Sequence, residues 1–151
     1  DKYFEELSKE SYSERGLREL RISKTEALTG NAYAILRLAA FYYDSGHPRQ
    51  AEKYAKEFLE FDKEDYFIIQ MLSGTYFEQK KYAEAEKFLL PLAKKGNTQA
   101  QWFLAMVYFE TKKFKEAESW AKKALDGAKK EGSFSKHIEQ LLMMLDGELN
   151  K

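Results

Sequence analysis

A general base, a nucleophile or a metal site needs particular side chains at particular spacings, and this sequence offers few of them. Its two histidines are His47, in a turn beside Pro48, and His137, at the start of the last apolar-periodic segment. They lie in different segments, and neither belongs to an HExxH or other ligand-spaced motif. Cysteine is absent, which removes a thiolate nucleophile, a thiolate metal site and a disulfide framework. No glycine-rich phosphate loop occurs, and Gly74 stands alone inside a run with helical spacing. Carboxylates are plentiful, but they alternate with lysine, as in EKYAKEFLEFDKED, the pattern of a solvated helix face. The residues therefore point away from catalysis, from metals and from cofactors.

What remains is apolar material that must be packed. The 151 residues are 44% hydrophobic and 15% aromatic, far from the composition of a disordered chain and enough for a sizeable core. Twenty-five basic and 25 acidic side chains cancel. A nucleic-acid binder needs a basic stripe to displace counterions from phosphates, so nucleic acid is excluded as a partner. No apolar run approaches the roughly 18 residues of a membrane span. The sequence opens at Asp1 without a methionine and reads as a trimmed or mature fragment, which leaves the compartment, cytoplasmic or periplasmic, undecided.

The apolar residues repeat. Segments beginning at Ala32, Tyr66 and Thr98 align, and their small anchor residues Ala51, Ala85 and Ala117 are 34 and 32 residues apart. Each segment reads as helix, tight turn, helix. In the first helices the packing stripe is Ile35, Leu38, Ala39, Tyr42; then Ile69, Leu72, Ser73, Tyr76; then Leu104, Ala105, Tyr108. The second helices carry Ala51, Ala55, Phe58, Leu59; Ala85, Leu89, Leu92, Ala93; and Ala117, Ala121, Ala124, Leu125. Tyr82 and Phe114 fill the corner at the turn, while Glu52–Lys56 and Glu118–Lys122 pair at i,i+4 outside. One pair cannot bury both stripes, so pairs must stack.

The ends follow less regularly. Residues 1–30 fit a degenerate pair, with Phe4, Leu7, Tyr12, Leu20, Ala27 and Leu28 in matching places, a capping box from Ser11 to Glu14 and a C-cap at Gly30; one long kinked helix fits them too. Ile138, Leu141, Leu142 and Leu145 form the stripe of a capping helix. Pro91 lies within the second helix of the middle pair, and its missing N–H predicts an irregular final turn on the outer surface.

The 34-residue spacing, the Leu-Ala/Ser…Tyr pattern and the alanine opening each second half resemble tetratricopeptide repeats. KGNTQAQWFLAMVY is also similar to the related Sel-type repeats. The likeness covers residues 32 to about 128; it departs where the family's proline after the second helix is missing and where Gln101 replaces a large apolar residue. It implies an all-α fold, a right-handed α-α superhelix of about three helix pairs with a degenerate pair before and a capping helix after. The expected division within one domain is 1–30, then repeats at 31–63, 65–96 and 98–131, then a cap at 133–151.

In that family the first helices line a concave face that holds partner proteins. Carried onto this sequence, the face comprises Tyr33, Leu36, Ala40, Tyr43; Phe67, Gln70, Gly74, Phe77; and Gln99, Trp102, Met106, Phe109. The co-chaperone subgroup grips a C-terminal carboxylate with Lys, Asn and Arg at such places, and here Leu36, Ala40, Gly74, Trp102 and Met106 leave no clamp. An apolar face with Tyr43, Phe77 and Phe109 as a ladder suits an amphipathic helix or an extended apolar segment. Tyr33 and Leu36 are equally suited to cover by the N-terminal segment, because helix 32–43 is apolar nearly all round. The expectation is a non-enzymatic interaction module, an adaptor or assembly scaffold. Its alternatives are a compact chaperone of a bacterial secretion system, a type that tends to dimerise, or a structural piece of an envelope or motility assembly.

Overall fold

The computed structural model describes residues 14–151, with side chains from Gly16 onward. The expectations for Phe4, Leu7, Tyr12 and the capping box beginning at Ser11 lie outside the described residues. Within them the chain is helical, with eight helices and no strand. These are α1 (Glu14–Leu28), α2 (Ala32–Asp44), α3 (Pro48–Phe58), α4 (Tyr66–Glu78), α5 (Tyr82–Lys94), α6 (Thr98–Glu110), α7 (Phe114–Glu131) and α8 (Ser135–Leu149). The chain divides into two compact units between Lys63 and Glu64. In the first, α1 packs on α2 and α2 on α3; in the second, α4 to α8 pack in sequence order, with α4 also against α6 and α6 against α8. Neighbour-on-neighbour packing of helices is the architecture of an all-α solenoid.

The three pairs are punctuated alike. Each first helix opens on an Asx cap: the side chains of Asn31, Asp65 and Asn97 accept from the backbone N–H groups of Ala34, Ile68 and Ala100 at 3.2, 2.9 and 2.9 Å. Each first helix ends in a tight turn through a left-handed residue, Gly46 at φ 75°, Lys80 at φ 54° and Lys112 at φ 61°. The next N–H then reaches back to the carbonyl of Tyr42, Tyr76 or Tyr108, at 2.8, 2.9 and 2.8 Å. Before α2 and α6 the chain turns through Gly30 and Gly96, and Gly30 takes the positive φ expected of a C-cap residue.

The packing stripes of the first helices are buried as the periodicity predicts, from Ile35, Leu38 and Tyr42 through Ile69, Leu72 and Tyr76 to Leu104 and Tyr108. Leu59, Leu125 and Leu142, by contrast, are half-buried, and Leu28 is exposed at the end of α1. Alanines sit fully buried on the facing helices, at Ala51, Ala55, Ala85, Ala117, Ala121 and Ala124, which lets backbones approach closely. Rings fill the corners: Tyr42 stacks on Tyr54 at 5.6 Å, and Phe77 and Phe109 meet Tyr82 and Phe114 at 5.6 and 5.7 Å. Outside, Lys56–Glu52 and Lys122–Glu118 pair at 2.7 and 3.2 Å.

One local expectation fails. Around Pro91 the final turn is not irregular, because α5 runs on as α-helix to Lys94 and the Lys95 N–H donates to the Pro91 carbonyl at 3.3 Å. Pro91 is exposed and in the last turn, so the one acceptor it leaves unpaired belongs to exposed Lys87, which water can serve.

Polar side chains close the second unit where the stripes do not. Gln101, 8% exposed, donates to the Ala93 carbonyl at 3.1 Å, capping an end carbonyl of α5. The departure from an apolar residue at this place therefore has a structural reason. Thr98 donates to Glu131 at 2.7 Å and joins the start of α6 to the end of α7. Tyr108 donates to Glu86 at 3.1 Å; burial first, and then that carboxylate, push its phenol up to about 12.

Candidate functional site

The first unit and the second treat the expected concave residues differently. In the first, Tyr33 is 66% exposed, with the Arg37 guanidinium 5.1 Å from its ring centre. Leu36, Ala40 and Tyr43 are half-buried on the same helix. The crevice of this unit, about 160 Å³, lies between α1 and α2 and is lined by Leu20, Ser23, Leu38 and Phe41 among others, but by none of those four.

In the second unit the residues converge. A cleft of about 310 Å³ is lined by Tyr66, Gln70, Gln99, Trp102, Phe103, Met106, Phe134 and His137. A second, of about 250 Å³, is lined by Trp102, Met106, Phe109, Glu110, His137, Gln140, Leu141 and Met144. Trp102, Met106 and His137 form the wall common to both, so the two are successive compartments of one groove between α6 and α8. Of the expected residues, Gln70, Gln99, Trp102, Met106 and Phe109 are gathered there. Phe67, Gly74 and Phe77 line neither cleft: Phe67 is 47% exposed, Gly74 is half-buried, and Phe77 is turned against Tyr82.

Local sequence explains how the wall is held. The steps 99, 102, 106, 109 keep one face of α6 toward the groove while Leu104, Ala105 and Tyr108 face the core. Gln99 is 6% exposed and donates through Nε2 to the Tyr66 carbonyl at 3.1 Å, tying the first turn of α6 to the first turn of α4. That carbonyl only accepts, so the amide orientation is fixed. At the far side Phe134, just before α8, meets the Trp102 ring at 6.4 Å and sets the mouth of the first compartment.

The second wall is what sequence reasoning missed. His137, Gln140 and Met144 repeat on α8 the spacing of Trp102, Met106 and Phe109 on α6 within one residue, while Ile138, Leu141 and Leu145 supply the buried stripe. The signal was present as this second stripe beside the first. A helix read only as a cap gives no reason to look for one.

The groove is mostly apolar, with Glu110 as its one lining carboxylate, His137 as its one lining imidazole and Tyr66 as its one lining phenol. Among the described residues no group of three or more His, Cys, Asp or Glu is placed to hold a metal. No described helix is long and apolar enough to cross a membrane.

A family model, the tetratricopeptide repeat, matches residues 103–131, from the middle of α6 to the end of α7. The match and the helix pairs fit a tetratricopeptide-type repeat protein. No curated protein matches this sequence. Tetratricopeptide repeats are generally non-enzymatic and suggest a protein–protein interaction module. The match ends before α8, so the second wall of the groove lies outside the matched repeat.

Proposed function

We propose that this tetratricopeptide-type protein is a non-enzymatic interaction module that takes an apolar segment of a partner protein in the groove between α6 and α8. The observation that carries the reading is the two-compartment cleft whose common wall is Trp102, Met106 and His137. A globular core would turn Trp102, Phe103, Met106 and Phe109 inward, yet all four stay half-exposed on a helix whose other faces are buried. Aromatic side chains and methionine are the types enriched in the cores of protein interfaces. No carboxylate grip is built from the residues at hand, so the affinity has to come from desolvating apolar surface.

A photo-crosslinking side chain placed at Met106, and in a second variant at Met143, tests it in the native host. Met143 is 75% exposed on α8 and lines neither compartment. The expected result is a discrete crosslinked protein from position 106 and none from position 143. Equal yields from both positions, or crosslinks from 143 alone, overturn the assignment.

A further inference from the structure

We infer that the occupant of the α6–α8 groove is an amphipathic helix with two large apolar side chains four residues apart and a lysine or arginine within a turn of the second, at the Glu110 end. This rests on reading that groove as the partner site, and it fixes the partner's conformation, spacing and charge.

Spacing comes first. The α6 residues lining the first compartment are Gln99, Trp102, Phe103 and Met106, and those lining the second are Trp102, Met106, Phe109 and Glu110. The centre of the lining therefore moves along α6 by about four residues, or ~6 Å at the helical rise. Along α8 and its N-cap the corresponding advance, from Phe134 and His137 to His137 through Met144, is about five residues, or ~7.5 Å. Two anchors about 6–8 Å apart match i and i+4 of a helix, or i and i+2 of an extended strand.

Backbone chemistry separates these two. An extended segment presents unpaired N–H and C=O groups to its binding surface, and burying them without partners is costly. The floor here is Phe103, Met106, Phe109, Leu141 and Met144, with no backbone edge to pair with. Of the lining amides, Gln99 donates to the Tyr66 carbonyl while its Oε1 is buried out of reach. Gln70 and Gln140 stand exposed at the rim, too few to pair the backbone of a segment spanning both compartments. A helix satisfies its own backbone and brings only side chains, so the lining suits a helix.

Charge sets the flank. Glu110 is exposed, is the last residue of α6, and has no ion-pair partner among the described residues. The carbonyl end of α6 adds negative potential at the same place. His137 stands between the compartments, Gln140 beside it is neutral, and the Tyr66 phenol lines the far, first compartment. A basic side chain on the partner is complementary at this end alone.

The test selects displayed random 16-residue peptides against the full chain, with counter-selection against Met106→Glu and, separately, Gln140→Arg. Gln140 is exposed on the second wall, so its variant keeps the fold if Met106→Glu does not; circular dichroism and melting check both. The expected winners carry apolar residues at i and i+4 and a Lys or Arg three or four residues beyond the anchor of the Glu110 end, at i+7 or i+8 for one chain direction and i−4 or i−3 for the other, and gain helicity on binding. With a synthetic winner, Glu110→Lys weakens binding about three- to fivefold, the scale of an exposed charge pair, and replacing the peptide's basic residue by Glu restores it. Winners that depend on the groove but carry proline or apolar residues at i and i+2 overturn the helical occupant while leaving the groove as partner site. A lack of any peptide sensitive to either groove variant overturns both.

Discussion

The two helices of the last pair, α6 and α7, bury themselves by opposite means. In α7 the buried positions are Ala117, Ala121, Ala124 and Ala128, and the outer face carries charge, including the Glu118–Lys122 pair. Its large apolar side chains are half-buried as well, but they have cover within the unit: Phe114 meets Phe109, and the Lys123 ammonium lies 4.4 Å from the Trp120 ring centre. In α6 the pattern breaks both ways. Gln99 and Gln101 are buried, each bonded to a carbonyl of another helix, while Trp102, Phe103, Met106 and Phe109 stay half-exposed. Polar groups inside and greasy ones outside mark a helix shaped by something more than stacking.

The largest effect should separate the two faces of α6 from one another. Leu104 is fully buried, and Leu104→Ala should cost about 2–5 kcal/mol in urea unfolding. Met106, two residues on, faces the groove, and Met106→Ala should cost less than about 1 kcal/mol because little is left to collapse. Equal losses would make the groove wall part of the core and remove the contrast with α7.

A smaller effect lies at the seam between the helices. A Cβ at Gly127 of α7 would run into the Thr98 side chain, which is buried and donates to Glu131. Gly→Ala inside an open helix gains about 1 kcal/mol, whereas overpacking costs about 1–3 kcal/mol. Gly127→Ala should therefore lower stability by about 1 kcal/mol, and in a Thr98→Ala background the loss should shrink, because only the residue-98 Cβ, 3.2 Å from the added methyl, then stands in its way. Gly147 in α8, where an added Cβ meets nothing, is the control: Gly147→Ala should gain about 1 kcal/mol. If Gly127→Ala also stabilises, the helices are not packed as tightly as Thr98 and Gly127 imply.

How much of this was legible follows from which interactions leave a periodic trace. The packing stripes did, because Ile69, Leu72 and Tyr76 need only recur at three and four to share a face. Gln101 broke the pattern visibly, but its acceptor is the Ala93 carbonyl, and a backbone acceptor has no signature in the sequence. The expected groove residues were read from one stripe per first helix. That placed Trp102, Met106 and Phe109 on one face but said nothing of what stands opposite. His137, Gln140 and Met144 needed α8 to lie beside α6, a long-range fact that spacing within α8 cannot supply. Phe77 illustrates the converse: it shares the stripe position of Phe109 and the same corner contact, with Tyr82 in place of Phe114, yet only Phe109 lines the groove, because only it has α8 opposite.

The smallest effect concerns the turn that joins α6 to α7. It passes through Lys112 at φ 61°, where the equivalent turn of the first pair uses Gly46 at φ 75°. A left-handed backbone crowds the Cβ of any residue but glycine, at roughly 1–2 kcal/mol. Glycine also loses more freedom on folding, which takes back about 0.4–1 kcal/mol. Lys112→Gly should thus gain about 0.5–1 kcal/mol, read as a small rise in melting temperature. The neighbouring Lys113, at φ −88° with its ammonium 5.6 Å from the Tyr108 ring centre, should behave oppositely, so Lys113→Gly should lose stability. Lys112 is exposed and lines neither compartment of the groove, so its glycine variant should also leave partner binding untouched. A gain in stability accompanied by weaker binding would instead make the turn part of the contact, carrying the interaction surface from α6 around toward the charged face of α7.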